Sequence, residues 1–222
     1  SIPWLVWGSI TSEVIASGEL EQQSELSHLA DYANGRQVIV LVNSADVRLY
    51  RHYMPTKPSR QILKALPFML EDELSQDIEQ LHFAIHDTGY DQEKNQHWVN
   101  LVVVNKLLIE SWIDLLAEHD INAKVMIPDV MCLPNEANCL STLELSDGWL
   151  MNAGSWQAAF VDNNWQQFYW LEQLNQHADN GFTVHAYSPL PDHIEQQLQN
   201  HEMVTIETKE PELPCLLLAK TA

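Results

Sequence analysis

The sequence predicts a mixed α/β fold, built as two α/β blocks with a smaller segment inserted in the first. Three observations carry this. Residues 97–130 read HWVNLVVVNKLLIESWIDLLAEHDINAKVMIPDV, in which a buried apolar run, an amphipathic stretch and a second apolar run follow one another. Residues 149–206 alternate short strand-like runs with polar turns and a further amphipathic stretch. Ahead of the first of these stretches, a helical repeat from Pro58 to Leu74 stands in polar surroundings.

Each element follows from local chemistry. Trp4 to Trp7 and Glu13 to Ala16 read as short strands, with Gly8-Ser9 and Ser17-Gly18 as turns. Gln22 to Asn34 reads as one helix with Leu26, Leu29, Ala30 and Ala33 on a face, stopped by Asn34-Gly35. Val38 to Val42 and Val47 to Tyr53 are strands. Pro58-Ser59 opens a helix in which Ile62, Leu66, Leu70 and Leu74 recur every four residues. Pro67 lies inside it and removes a backbone donor, so a bend or split is expected there. Leu81 to His86 is a strand, and the polar stretch Asp87 to Gln96 is a loop. Val99 to Val104 suits a strand covered on both faces; Asn105 can cap the helix after it, whose apolar face is Leu108, Trp112, Leu115 and Leu116. With Ala123 to Ile127 this makes a βαβ crossover. In the second block, Trp149 to Ala153, Gln157 to Val161 and Gln166 to Trp170 read as three strands, with Asp162-Asn163-Asn164 as a hairpin turn. Phe182 to Tyr187 and Val204 to Ile206 are strands, and Pro191 to Gln199 is a helix with Ile194 and Leu198 inward. Pro134 to Asn138 is the chief boundary. The division is therefore a first α/β domain of residues 1–54 plus 99–137, an inserted α+β subdomain of residues 55–98, and a second α/β domain of residues 138–222.

Composition narrows function. The chain has 222 residues, 45% hydrophobic and 19% charged, with a formal net charge of −20. That charge repels nucleic acid and anionic lipid, so neither is an expected ligand. No apolar run reaches the ~20 residues of a membrane span, and no basic stretch marks a signal peptide before Ser1-Ile2-Pro3-Trp4. Cys132, Cys139 and Cys215 lack the spacing of a disulfide framework or a zinc knuckle and read as reduced thiols in a cytosolic setting. The basic residues are concentrated: Arg36, Arg48, Arg51, Lys57, Arg60 and Lys64 fall in one window whose only acid is Asp46. Such a patch is either a solvated surface or a dock for an acidic partner segment.

Catalytic and metal motifs are missing from the sequence. The strand-to-helix junction Val104-Asn105-Lys106 has no phosphate-binding glycine, and there is no Gly-x-Ser-x-Gly elbow. His82 and His86 are four apart, but on a strand that is about 13 Å. His177, His185, His193 and His201 recur every eight residues without sharing a face. Glu71, Asp72, Glu73 and Asp77 read as an exposed helical face rather than paired catalytic acids. Trp149, Trp156, Trp165 and Trp170 read as core and sheet packing; an exposed Trp156 or Trp165 would point to a protein interface, and a lectin-like surface is the weaker alternative. No metal, cofactor or catalytic residue is assigned.

The two blocks open alike, with Trp4-Leu5-Val6-Trp7-Gly8-Ser9 and Trp149-Leu150-Met151-Asn152-Ala153-Gly154-Ser155. Through WLMNAGSWQAAFVD (residues 149–162), the VNLVVVNKLLIESWIDLL stretch and the RQILKALPFMLEDEL helix, the chain resembles the cytoplasmic domain of the type II secretion system inner-membrane platform protein L. The resemblance spans essentially the whole sequence. It implies an actin-like (ribonuclease-H-like) architecture, with a transmembrane helix and a periplasmic domain following Ala222, at the cytoplasmic face of a bacterial inner membrane. It also implies a scaffold that recruits the cytoplasmic secretion ATPase (protein E) and pairs with other platform proteins (protein M) through those later parts, with a homodimer possible.

Actin-like ATPases hold phosphate on an Asp-x-Gly-Ser/Thr turn in each half. Here the carboxylate positions are Val6 and Asn152, and none of the seven glycines is adjacent to another. A non-catalytic domain follows, the alternative being an actin-like domain that retains nucleotide binding or weak ATPase activity. The expected partner surface is Arg51, Lys57, Arg60, Lys64, Glu71, Asp72 and Glu73, charges of both signs around an apolar strip.

Overall fold

The computed structural model describes residues 1–8, 13–154, 156–176, 180–210 and 212–222. It comprises two compact units, residues 1–44 with 115–222, and residues 45–114.

The first unit begins with an antiparallel pair, β1 (Ile2–Gly8) and β2 (Glu13–Leu20). Gly18 does not end β2. It lies opposite Trp4 within the ladder, where an added Cβ would meet the indole at 2.9 Å. The expected helix at Gln22–Asn34 divides into a 3-10 helix (Gln23–Leu29) and a short α1 (Ala30–Ala33). Leu26 and Leu29 are three residues apart, the repeat of a 3-10 helix, and Ser24 and Ser27 favour α-helix weakly. Gly35 stops the segment at φ +72°, and the Arg36 guanidinium donates to the Tyr32 carbonyl at 2.9 Å. β3 (Val38–Val42) runs parallel to β7 (Ala123–Pro128).

The second unit is a three-stranded antiparallel sheet under one helix. β4 (Val47–Met54) and β5 (Leu81–Asp91) flank a central β6 (Gln96–Asn105). Val99, Leu101 and Val103 of β6 pack with Met54, Leu66, Leu70 and Leu81. α2 (Arg60–Met69) is capped by the Ser59 hydroxyl, which accepts from the Ile62 amide at 3.3 Å. The helical span expected as far as Leu74 divides just after Pro67: α2 ends at Met69, and a 3-10 turn (Glu71–Glu73) carries the chain on to Leu74. The expected loop at 87–96 is mostly strand. β5 runs on to Asp91, whose carboxylate accepts from the amides of Glu93 and Lys94 at 3.0 Å and so folds a short hairpin turn.

Asn105 caps α3 (Lys106–Glu118), accepting from Leu107 and Leu108 at 3.0 and 3.3 Å. The expected crossover is corrected here. β6 belongs to the sheet of β4 and β5, whereas β7 pairs with β3, so α3 links two sheets instead of two strands of one.

The remainder of the first unit is a five-stranded sheet in the order β10-β9-β8-β11-β12. The strands are β8 (Cys139–Glu144), β9 (Gly148–Asn152), β10 (Ala158–Asp162), β11 (Phe182–Ala186) and β12 (Val204–Thr208). Three antiparallel strands are thus extended by two parallel ones, joined through α4 (Gln166–Gln176) and α5 (Asp192–Gln199); α6 (Pro214–Ala219) follows. Numbered from its own first strand the order is 3-2-1-4-5, that of a ribonuclease-H-like domain. Its core holds Trp149, Met151, Trp170, Val184, Ile194 and Leu198. The segment Gln166–Trp170 is helix, not strand, and Asp162–Asn164 starts it: the Asp162 carboxylate accepts from the Asn164 amide at 2.8 Å. Trp170, Gln173 and Leu174 are buried at three- and four-residue spacing, the period of a helix facing a sheet.

Candidate functional site

The turn after β9 is the place where an actin-like ATPase would hold phosphate. Its residues are engaged by the chain itself. Asn152 is buried, and its Nδ2 donates to the carbonyls of Leu133 at 3.1 Å and Val130 at 3.4 Å. Its Oδ1 accepts from the Gly154 amide at 3.0 Å, so one of the amides that could face an anion is spent. Gly154 is held at φ +73°, and the turn closes with the Gln157 amide donating to the Gly154 carbonyl at 2.7 Å. Asn135 covers the open side. Its Nδ2 donates to the Asn152 carbonyl at 3.1 Å, and its Oδ1 lies 2.7 Å from where a Cβ on Gly154 would stand. The described part of the turn is thus held by two asparagine side chains. Ser155, and Ser9 of the corresponding turn after β1, lie outside the described residues; Val6, at the other carboxylate position, is buried in β1.

A neighbouring carboxylate was missed by sequence reading. β3 and β7 run parallel, so the residues just past their ends, Ser44 and Asp129, come together. The Ser44 amide and hydroxyl donate to Asp129 Oδ1 at 3.0 and 2.5 Å, and the hydroxyl accepts from the Val130 amide at 3.0 Å. Burial raises the Asp129 carboxyl above the usual aspartate value, against the Ser44 hydrogen bonds that lower it. Through Val130, whose carbonyl accepts from Asn152, the ends of β3, β7 and β9 form one hydrogen-bonded network. The available signal was a polar residue one or two positions past the end of each of two parallel strands, which is where α/β sites gather.

The three cysteines are free thiols. Burial, with Asp129 nearby, pushes the Cys132 thiol up to about 11, and burial raises Cys139 and Cys215 as well, so none is a ready nucleophile at neutral pH. Of the histidines considered together, His185 is buried in β11, His193 and His201 are exposed at and beyond α5, and His177 lies outside the described residues. The ladder register slips between Ile85 and Asp87, which breaks the alternation connecting His82 with His86.

The expected partner surface is divided by the sheet of the second unit. Lys57, Arg60 and Lys64 are exposed at the start and on the outer side of α2, and Glu71, Asp72 and Glu73 are exposed in the 3-10 turn after it. Phe68 and Met69 stand exposed between them, at 68% and 45%. Among the described residues no carboxylate lies within ion-pair distance of Lys57, Arg60 or Lys64. Arg51 is elsewhere. Tyr50 and Met54 of β4 face the α2 core, so Arg51 points to the opposite side of the sheet. There its guanidinium donates to Asn100 at 2.8 Å and stacks on Trp98 at 4.6 Å, and Trp98 covers Gly89. In the other unit, Trp165 and Phe168 at the start of α4 are exposed, with ring centroids 5.5 Å apart.

Comparison with known proteins bears on the family and the fold. The family model for type II secretion system (T2SS) protein L matches residues 1–222. The protein of that name from Vibrio cholerae is 32% identical over 191 residues, covering 86% of this chain and 46% of the relative. That from Dickeya chrysanthemi is 31% identical over 193 residues, covering 86% and 45%. The chain therefore spans a little under half the length of these curated relatives. Among solved structures, the cytoplasmic domain of EpsL, an inner membrane component of the type II secretion system of Vibrio cholerae, superposes with a TM-score of 0.79 at 29% identity, covering 99% of this chain and 87% of that one. A chain of the PilM-PilN type IV pilus biogenesis complex matches at TM-score 0.55 and 11% identity, covering 91% and 89%, a likeness of fold. The actin-like α/β architecture implied by the sequence resemblance is the architecture observed. No helix among the described residues is long and apolar enough to cross a membrane. With its whole length matched, the chain belongs to the type II secretion system protein L family, components of a bacterial protein secretion machine.

Proposed function

We propose that this chain is a non-catalytic scaffold that recruits the cytoplasmic secretion ATPase to the inner-membrane platform, using the α2 surface. The observation that carries the reading is the pairing of three exposed, uncompensated cations (Lys57, Arg60, Lys64) with exposed Phe68 and Met69 and the acidic turn Glu71–Glu73. An apolar strip buries area, while charges of opposite sign at its two ends set the partner's orientation. Arg51, engaged by Asn100 and Trp98, supports the sheet and is not a contact in this proposal. The exposed Trp165–Phe168 pair favours protein contact over sugar binding elsewhere on the chain. Association with protein M and membrane anchoring, through parts of the protein other than these residues, and a homodimer belong to the same proposal. The test is a calorimetric titration of the secretion ATPase into the wild-type chain and into Arg60→Glu/Lys64→Glu. The proposal expects affinity to fall at least tenfold, a loss of about 1.4 kcal/mol, with an unchanged melting temperature. Equal affinity refutes the surface.

The alternative, retained nucleotide binding, draws on the surviving backbone of the Gly154 turn. It conflicts with the Asn152 and Asn135 side chains that fill that turn, and Mg-ATP binding decides it.

A further inference from the structure

One face of the β8-β11-β12 edge gathers metal-binding side chains that lie far apart in sequence. Thr183 pairs with Cys139, His185 with Ser141, and His185 with Glu207, so Cys139, His185 and Glu207 share the face opposite Leu140, Val184 and Ile206. Glu136 reaches the same spot from the segment before β8, and the ligand atoms of Glu136, Cys139 and His185 lie within 4.8 Å of one another. The distances are those of a shared ion. Zinc–sulfur and zinc–nitrogen bonds of about 2.3 and 2.05 Å at a tetrahedral angle separate the two donors by about 3.5 Å, and a nitrogen–oxygen pair by about 3.3 Å. Cys139 Sγ lies 3.6 Å from His185 Nε2, and Glu207 Oε2 lies 3.3 Å from the same nitrogen. His185 is 3% exposed, so its ring is held in place. Ser141, its register partner on this face, is fully buried with a hydroxyl that has no hydrogen-bond partner among the described residues.

From this geometry we infer that Cys139, His185 and Glu136 form a three-donor site for a thiophilic divalent cation, zinc above all. One thiolate, one imidazole and one carboxylate make a donor set of borderline softness with a fourth tetrahedral position open, which suits zinc and discriminates against magnesium and calcium. Binding releases the Cys139 proton and places the cation beside the Glu136 carboxylate, whose charge it offsets. Glu207 Oε2 is held by Lys209 at 2.7 Å and stands outside the three-donor cluster. A cation here ties β8 to β11.

Cobalt is the probe, because a thiolate ligand gives a charge-transfer band that carboxylates and imidazoles do not. Titration of the reduced, metal-free 222-residue chain is expected to saturate at one Co²⁺ per chain with that band, and added Zn²⁺ to bleach it. Cys139→Ser is expected to abolish the band, whereas Cys132→Ser and Cys215→Ser keep it. His185→Asn and Glu136→Gln are each expected to weaken affinity more than about tenfold, the least that loss even of an indirect partner costs. Glu136 is exposed, so its variant reads the site even where the buried histidine variant unfolds. Absence of saturable binding, a band that survives Cys139→Ser, or one lost in either control overturns the site.

Discussion

Replacing Asn152 by aspartate restores the carboxylate that a phosphate turn would carry, and the structure sets its cost. Asn152 Nδ2 donates to two carbonyls, those of Leu133 and Val130, whose residues are 1% and 0% exposed. A carboxylate has no donor for either. Water cannot reach in to substitute, and a buried carbonyl left without its partner costs about 1–3 kcal/mol. The Val130 contact is long at 3.4 Å, so the sum falls in the lower part of the range, about 2–4 kcal/mol. For a chain of this size each kcal/mol moves the melting temperature by about 2–4 °C, which gives a fall of about 5–15 °C. The effect has a sign in pH. Burial and two facing carbonyls raise the folded-state pKa of the new carboxyl, and its protonated form recovers one donor. Stability is then lost as pH rises through the window above the ordinary aspartate value. Thermal and urea unfolding at about pH 5 and about pH 7.5, on either side of such a raised pKa, reads both quantities. A variant as stable as wild type at the higher pH, or one that gains a Mg-ATP thermal shift, would refute the claim that this amide is there to hold backbone.

Three further predictions come from other parts of the chain. Gly154→Ala places a Cβ 2.7 Å from Asn135 Oδ1 at a φ of +73°, and is expected to cost about 1–2 kcal/mol from backbone strain alone; adding Asn135→Ala should recover the steric part in a double-mutant cycle, and simple additivity would count against the contact. Wild-type stability should decline as pH rises just above the ordinary aspartate range, because folded Asp129 holds its proton more tightly than the unfolded chain does. Asp129→Asn keeps an acceptor for Ser44 and should flatten that decline in urea midpoints measured across the range, whereas an unchanged slope would assign it to other groups. Gly89→Ala drives a methyl to 2.3 Å from the Trp98 ring and should destabilise the second unit by about 1–3 kcal/mol in denaturant unfolding, where a neutral result would show that Trp98 can move aside.

What the sequence made legible was local. Asn105 and Ser59 announce their helices because capping is a contact over two or three residues. Val99 to Val104 and Trp149 to Asn152 announce buried strands by continuous apolar character. Five residues at Gln166–Trp170 could not separate strand from helix; the deciding partners, Gln173 and Leu174, lie one turn further on. Ser17-Gly18 reads as a turn until Trp4 is known to cover that glycine from the paired strand. Which sheet receives Val99–Val104 depends on pairing with β4 and β5, a long-range choice with no local mark. The sites show the same division. The missing carboxylate at Asn152 could be read from one motif, but its capture by Asn135, Leu133 and Val130 could not. Arg51 shares a cationic window with Arg60 and lies across a sheet from it. Cys139, His185 and Glu207 come together only through the register of three strands.

The account rests on a phosphate-type turn that its own side chains have closed, and nucleotide titration tests this most directly. A ligand at about one hundred times its Kd stabilises the folded state by about 2.7 kcal/mol, an upward shift of about 5–10 °C for a chain of this size. We predict that millimolar Mg-ATP leaves the melting curve of the wild-type chain where it was. A concentration-dependent rise abolished by a bulky substitution at Gly154 would contradict the account.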